Sequence, residues 1–132
     1  CDIGCGKKEW ALPGAIAIDP LISKEWDAYH LPDSPEEKID KFDYLFSSHA
    51  LEHLGNWVKA LEYWMSRLKF GGVLFLYLPH PDQKYWRPYN NHKHIHCLDP
   101  EVVADCVKSI GFRNVEHSGR DLNFSYVVIG EK

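Results

Sequence analysis

No apolar run in this sequence approaches the length needed to cross a bilayer; the longest, Val73 to Leu78, is far too short, so a membrane partner is not expected. Basic residues are outnumbered, 15 Lys and Arg against 19 Asp and Glu, giving a net charge of -4 with the histidines neutral. No Lys/Arg cluster stands out either, which argues against nucleic acid as a partner. Cysteine is sparse, at positions 1, 5, 97 and 106, without the close spacing of a metal set. No secretory leader precedes these cysteines, so a reducing cytoplasm is the expected compartment. Repeats and low-complexity tracts are absent, and the 132 residues are expected to form one domain. There is no initiator methionine, and only Cys1, Asp2 and Ile3 stand before Gly4 where a central parallel strand carries several buried residues. An upstream segment is therefore expected.

What the sequence does contain is organised around Cys1-Asp2-Ile3-Gly4-Cys5-Gly6 and Ala15-Ile16-Ala17-Ile18-Asp19. Two apolar runs carry carboxylates, and the glycines between them let backbone approach a ligand closely. In an open parallel sheet, ligands bind beyond the carboxyl ends of the strands, where strand order reverses. Asp19, closing the second run, offers two acceptor oxygens suited to the hydroxyls of a ribose. A dinucleotide site needs a third glycine facing a pyrophosphate, but Lys7, Lys8 and Glu9 follow Gly6. That disfavours a nicotinamide dehydrogenase and leaves a cofactor with an adenosine but no pyrophosphate.

Asp2-Ile3-Gly4-Cys5-Gly6 resembles the first motif of class I S-adenosylmethionine-dependent methyltransferases. Further segments follow in that family's order: Asp27 to Pro32, Phe42 to His53, Leu68 to Leu76, and His96 to Glu101 with Ile110-Gly111-Phe112. The resemblance, of the methyltransferase type 11 kind, spans nearly the whole chain. It implies an α/β, Rossmann-like doubly wound sheet, mostly parallel, with helices on both faces and a last antiparallel strand. It departs from the pattern at Lys7 to Gly14, too short for a crossover helix and broken by Pro13-Gly14, as in a short-loop subset of the family. Lys7 or Trp10 is a candidate to lean over the cofactor there.

Along the chain, Ala15 to Asp19 reads as a buried strand stopped by Pro20. Asp27 to His30 reads as a third strand, and Ser34-Pro35-Glu36-Glu37 as a helix start. Asp43 to Ser47 is the fourth strand. Asn56 to Leu68 has apolar residues at 57, 58, 61, 64, 65 and 68, the period of a helix lying on a sheet. Phe70-Gly71-Gly72 is expected to end it, and Val73 to Leu78 to form a fifth strand buried on both faces. Asp99 should cap a helix from Pro100 to Ile110 that Gly111 ends. Arg113 to His117 and Phe124 to Ile129 close the sheet as an antiparallel pair.

The resemblance places S-adenosylmethionine against Asp2, Gly4, Cys5, Gly6, Asp19, Pro20, Asp27, Ala28, Ser48 and His49, with Asp27 facing the adenine amino group. The alternative for Asp27 is a solvated turn carboxylate. The long segment from Pro79 to Leu98 is expected to bind the acceptor through Tyr85, Trp86 and Arg87, since aromatics beside a cation suit planar or polyol ligands. Against this stands an insertion whose aromatics simply fold onto the body. His49 and His80 are the candidate bases for a hydroxyl acceptor. His49, Glu52 and His53 share a face if helical, and Glu52 and His53 are expected to brace the helix that follows. The zinc-protease spacing fails, because Glu52 precedes the second histidine instead of following the first. His92, His94, His96 and Cys97 could share one side of an extended segment, yet methyl transfer needs no metal and none is expected. The function implied is methyl transfer to a small-molecule or glycan-type acceptor, with a homodimer left open. The alternative is a degenerate, non-catalytic module of the same fold.

Overall fold

The computed structural model describes residues 1–32 and 41–132; the helix start expected at Ser34 to Glu37 lies outside the described residues. Among the described residues six strands form one sheet: β1 (Asp2–Ile3), β2 (Ala17–Ile18), β3 (Phe42–Ser48), β4 (Leu68–Pro79), β5 (Arg113–His117) and β6 (Ser125–Glu131). Their order is β2-β1-β3-β4-β6-β5, parallel from β2 through β4 and antiparallel at β4–β6 and β6–β5. The chain leaves β1 toward one edge and returns through β3 on the other side. The carboxyl ends of β1, β2 and β3 therefore flank the point where strand order reverses.

Two helices, α1 (Trp57–Arg67) and α2 (Pro100–Ile110), pack on one face of this sheet. Asn56 caps α1 by accepting from Lys59 N at 3.0 Å, and α1 buries Ala60, Leu61 and Trp64. Asp99 accepts from Glu101 N at 3.1 Å, Pro100 takes the first helical position, and Gly111 closes α2 in the left-handed region at φ 112°. Leu45, Leu74, Leu76, Leu78 and Val128 meet these helices as the core.

Three expectations are corrected. Asp27 to His30 is a tight turn closed by Asp27 and His30 on each other, not a third strand of the sheet. Helix α1 ends at Arg67 without help from Phe70-Gly71-Gly72, because Leu68 is already extended and β4 begins there. The β4 residues Val73, Phe75 and Tyr77 are only half-buried, alternating with fully buried neighbours, so β4 is not covered on both faces. The α/β sheet is as expected; the described helices α1 and α2 lie on one face of it, and on the other Phe46 stacks on Phe75 with ring centroids 5.5 Å apart. Strand β2 is also shorter than expected, and Ile16 is 45% exposed. The short connection from Lys7 to Gly14 holds a single 3-10 turn, Lys8–Trp10, as its length requires. No helix among the described residues is long and apolar enough to cross a membrane.

Candidate active site

The chain leaves β1 through Gly4 and Gly6, both with positive φ, at 80° and 74°. A Cβ on Gly4 would stand 2.2 Å from the Cβ of Ala50, so glycine here lets the end of β1 close against the segment after β3. Gly4 N donates to Ile18 O at 2.7 Å. Gly6 N donates to one oxygen of Asp19 at 2.9 Å and Leu21 N to the other at 2.8 Å. The Asp19 side chain thus fixes the turn that faces it, and each of its oxygens keeps a further lone pair.

A cavity of about 810 Å³ opens at this lip. Its walls are mainly apolar, with Ile3, Ile18, Ala28, Tyr29 and Leu54 among them, and Asp19, Asp27, His49 and His53 supply polar groups. The turn carrying Asp27 is pinned from both sides: Asp27 Oδ1 accepts from Tyr29 N at 2.7 Å, and Trp64 Nε1 donates to Ala28 O at 2.7 Å. Tyr29 in turn accepts from Asn56 N at 3.1 Å, which ties the cavity wall to the start of α1.

Of the expected cofactor residues, Gly4, Gly6, Asp19, Pro20, Asp27, Ala28 and His49 line this one cavity. Asp2, Cys5 and Ser48 do not. Asp2 is buried beneath the short connection and accepts from Leu12 N at 2.9 Å, and burial pushes its pKa up. It holds that connection down. Lys7 and Trp10 also stay outside, with the Lys7 ammonium 4.7 Å from the Trp10 ring centroid.

After β3, His49 takes positive φ, 50°, and its N–H donates to Tyr77 O at 2.9 Å. Its Nε2 lies 3.0 Å from Ser125 Oγ, and its Nδ1 lies 3.7 Å from Glu52 Oε1. Burial, then the neighbouring His94 and His53, pushes the His49 pKa down. Glu52 belongs to a single 3-10 turn, Leu51–His53. Its carboxylate is fully buried, neither oxygen has a hydrogen-bond partner, and burial pushes its pKa up to about 7. His53 Nε2 and His94 Nε2 each stand 3.8 Å from Glu52 Oε1.

The segment from Pro79 to Leu98 folds over this group. Trp86 lies nearly parallel to His94, 5.5 Å away at 7°, and edge-on to His49 at 5.5 Å. Tyr85 is 60% exposed beside it, and Arg87 Nε donates to Pro81 O at 3.0 Å. His80 is turned elsewhere: its Nδ1 accepts from Asp82 N at 3.2 Å and its ring meets Tyr126, outside the cavity lining. His92 is exposed, His94 is 4% exposed and His96 Nε2 reaches Leu54 O at 2.9 Å, so these histidines do not share one side. Sequence reading missed the convergence of Glu52 with His94. The signal present was two segments rich in histidine, 49–53 and 92–96, with nothing local to say they meet.

A family model described as a methyltransferase domain matches residues 1–117. Among solved structures, a SAM-dependent methyltransferase from Thermotoga maritima is 18% identical, with 80% of this chain and 61% of that chain covered and a TM-score of 0.66. A SAM-dependent methyltransferase from Archaeoglobus fulgidus is 17% identical, covering 83% of this chain and 69% of that one at a TM-score of 0.59. Phosphoethanolamine N-methyltransferase 2 of Haemonchus contortus is 20% identical over 75% of this chain and 23% of its own, also at 0.59. The chain therefore spans less than two thirds of the Thermotoga protein. No curated protein matches. With the family model covering every residue that lines the cavity, the chain belongs to the methyltransferase domain family and has the class I S-adenosylmethionine-dependent methyltransferase fold.

Proposed function

We propose that the chain binds S-adenosylmethionine in the cavity at the ends of β1 and β2 and directs its methyl group to a small-molecule or glycan-type acceptor. The observation that carries this reading is the convergence of Gly4, Gly6, Asp19, Asp27 and Ala28 on one cavity of about 810 Å³. That volume lies within the range of sites for ligands of this size. The residues fit the cofactor: an apolar floor suits an adenine, and the spare lone pairs of Asp19 suit ribose hydroxyls.

When bound, S-adenosylmethionine supplies a methyl group already activated on a sulfonium, so the chain's work is chiefly to hold and align. Asp19 and the Gly4–Gly6 turn hold one end. His49 lines the same cavity and is the group we assign to accept a proton from a hydroxyl acceptor; His80 does not reach it. Tyr85, Trp86 and Arg87 sit on the segment beside His49 and would contact the acceptor, Trp86 most directly. A small acceptor agrees with the Haemonchus structure, which holds phosphomonomethylethanolamine and S-adenosylhomocysteine.

Calorimetric titration of S-adenosylmethionine and S-adenosylhomocysteine tests the reading. Saturable binding with a Kd of about 1 to 100 μM, weakened in Asp19→Ala, is expected. Absence of binding by a folded chain would support the degenerate module instead. Acceptor screening with sugars and small phosphorylated amines follows, with methyl transfer read by mass spectrometry.

A further inference from the structure

We propose that Glu52, His53 and His94 form a binding site for a divalent transition-metal cation, opening onto the cavity beneath Trp86. One ligand atom from each of the three lies within 4.8 Å of the others. Glu52 Oε1 is 3.8 Å from Nε2 of both histidines. Those separations are too long for hydrogen bonds. Ligands about 2.0 to 2.2 Å from a shared tetrahedral ion stand roughly 3.4 Å apart, so small side-chain adjustments would complete the geometry.

Four further observations point the same way. Glu52 is 0% exposed and both carboxylate oxygens lack hydrogen bonds, an arrangement that calls for a cationic partner. His53 Nδ1 lies 2.5 Å from Lys93 O; a carbonyl only accepts, so Nδ1 carries the proton and Nε2 turns its lone pair toward Glu52. Metal-bound histidines are commonly fixed this way by a backbone carbonyl behind them. Glu52 O accepts from Ile95 N at 3.0 Å and His96 N at 3.1 Å, which fastens the segment bearing His94 onto the turn bearing Glu52 and His53. Finally, His53 and His49 line the cavity, so positions on the ion not filled by the three side chains would face it. His49, with Nδ1 3.7 Å from Glu52 Oε1, stands at the edge as a fourth candidate.

Two imidazoles and a carboxylate suit zinc, manganese, iron, cobalt or nickel, and suit magnesium poorly. The sequence reading expected no metal because methyl transfer needs none; these three side chains come from two segments about forty residues apart and show no ligand spacing. This inference concerns cation binding alone and does not depend on methyl transfer.

The test uses the chelator-stripped chain, titrated calorimetrically with Zn²⁺, Mn²⁺ and Mg²⁺, with bound metal counted by plasma mass spectrometry after dialysis. One equivalent of Zn²⁺ or Mn²⁺ is expected, with Mg²⁺ at least about tenfold weaker. Glu52→Gln and His94→Ala each remove a direct ligand and should weaken that binding by at least about 100-fold, since loss of a partner behind a ligand alone costs about 10- to 100-fold. His92→Ala, an exposed neighbour, should leave it unchanged. Circular dichroism melts verify that each variant folds. Should a buried substitution fail that control, Co²⁺ absorption of the unaltered chain gives an independent readout: intense bands of a low-coordinate site support the assignment, and the spectrum of hydrated Co²⁺ overturns it. Sub-stoichiometric binding, or stoichiometric binding untouched in folded Glu52→Gln and His94→Ala, also overturns it.

Discussion

Asp19 lines the cavity, Glu52 is buried behind two of its histidines, His49 and His53, and the two carboxylates are held in opposite ways. Asp19 accepts a backbone N–H on each oxygen, from Gly6 and Leu21, and so shapes the turn beside it. Glu52 has neither oxygen hydrogen-bonded and is walled in by three imidazoles at 3.7 to 3.8 Å. A carboxylate satisfied by its own backbone is part of the scaffold even when it also touches a ligand. A buried carboxylate left unsatisfied weakens the scaffold, and its presence points to something that binds there.

The comparison can be broken most forcefully at the scaffold end. Gly4→Ala combines a 2.2 Å clash against Ala50 with a side chain at φ 80°. We expect it to cost about 3 kcal/mol or more in urea unfolding. Ala50→Gly in the same chain should return part of that loss by removing the clash and leaving the backbone strain; a double variant no better than the single would show that packing against Ala50 is not the cause.

Next in size is Asp19→Ala. Losing the acceptor of two backbone N–H groups and the proposed contact to the ribose should lower S-adenosylhomocysteine affinity at least about tenfold, roughly 1.4 kcal/mol, and reduce stability as well. Unchanged affinity would remove Asp19 from the ligand's contacts.

Glu52→Gln should act on stability in the other direction. In metal-free buffer at pH 8, replacing a buried, unpartnered carboxylate with an amide of the same shape is expected to raise stability by about 1 kcal/mol. A melt in which the variant is clearly less stable would mean that the carboxylate is satisfied in the native protein, and the contrast with Asp19 would fail. Smallest of all, Tyr85→Ala changes an exposed ring, so stability should shift by less than about 0.5 kcal/mol. Any effect should then appear in acceptor KM, with kcat and cofactor affinity preserved.

Helix α2 was legible because its signals are local: Asp99 caps, Pro100 begins and Gly111 ends, each within a few bonds of the backbone it controls. The short connection after Gly6 was legible for a similar reason, since eight residues cannot hold a crossover helix. Asp27 to His30 misled because the same apolar and acidic residues that suit a strand also suit a turn, and Asp27 bonds to Tyr29 N two residues on. Phe70-Gly71-Gly72 misled because the end of α1 is set by Leu68, which enters the core and starts β4, with Phe42 as its sheet partner.

The sequence by itself determined the order of the elements apart from the strand expected at Asp27 to His30, together with the caps of α2, the glycine turn after β1 and the carboxylate that follows β2. These rest on dihedral preference, short-range hydrogen bonds and apolar period, all properties of neighbouring residues. Only the tertiary structure decided that Asp2 serves the scaffold and not the cavity, that both helices of the described sheet share one face, and that His94 comes down on Glu52. Those outcomes depend on side chains distant in sequence competing for one buried space, and their energies exist only once the backbone between them has closed.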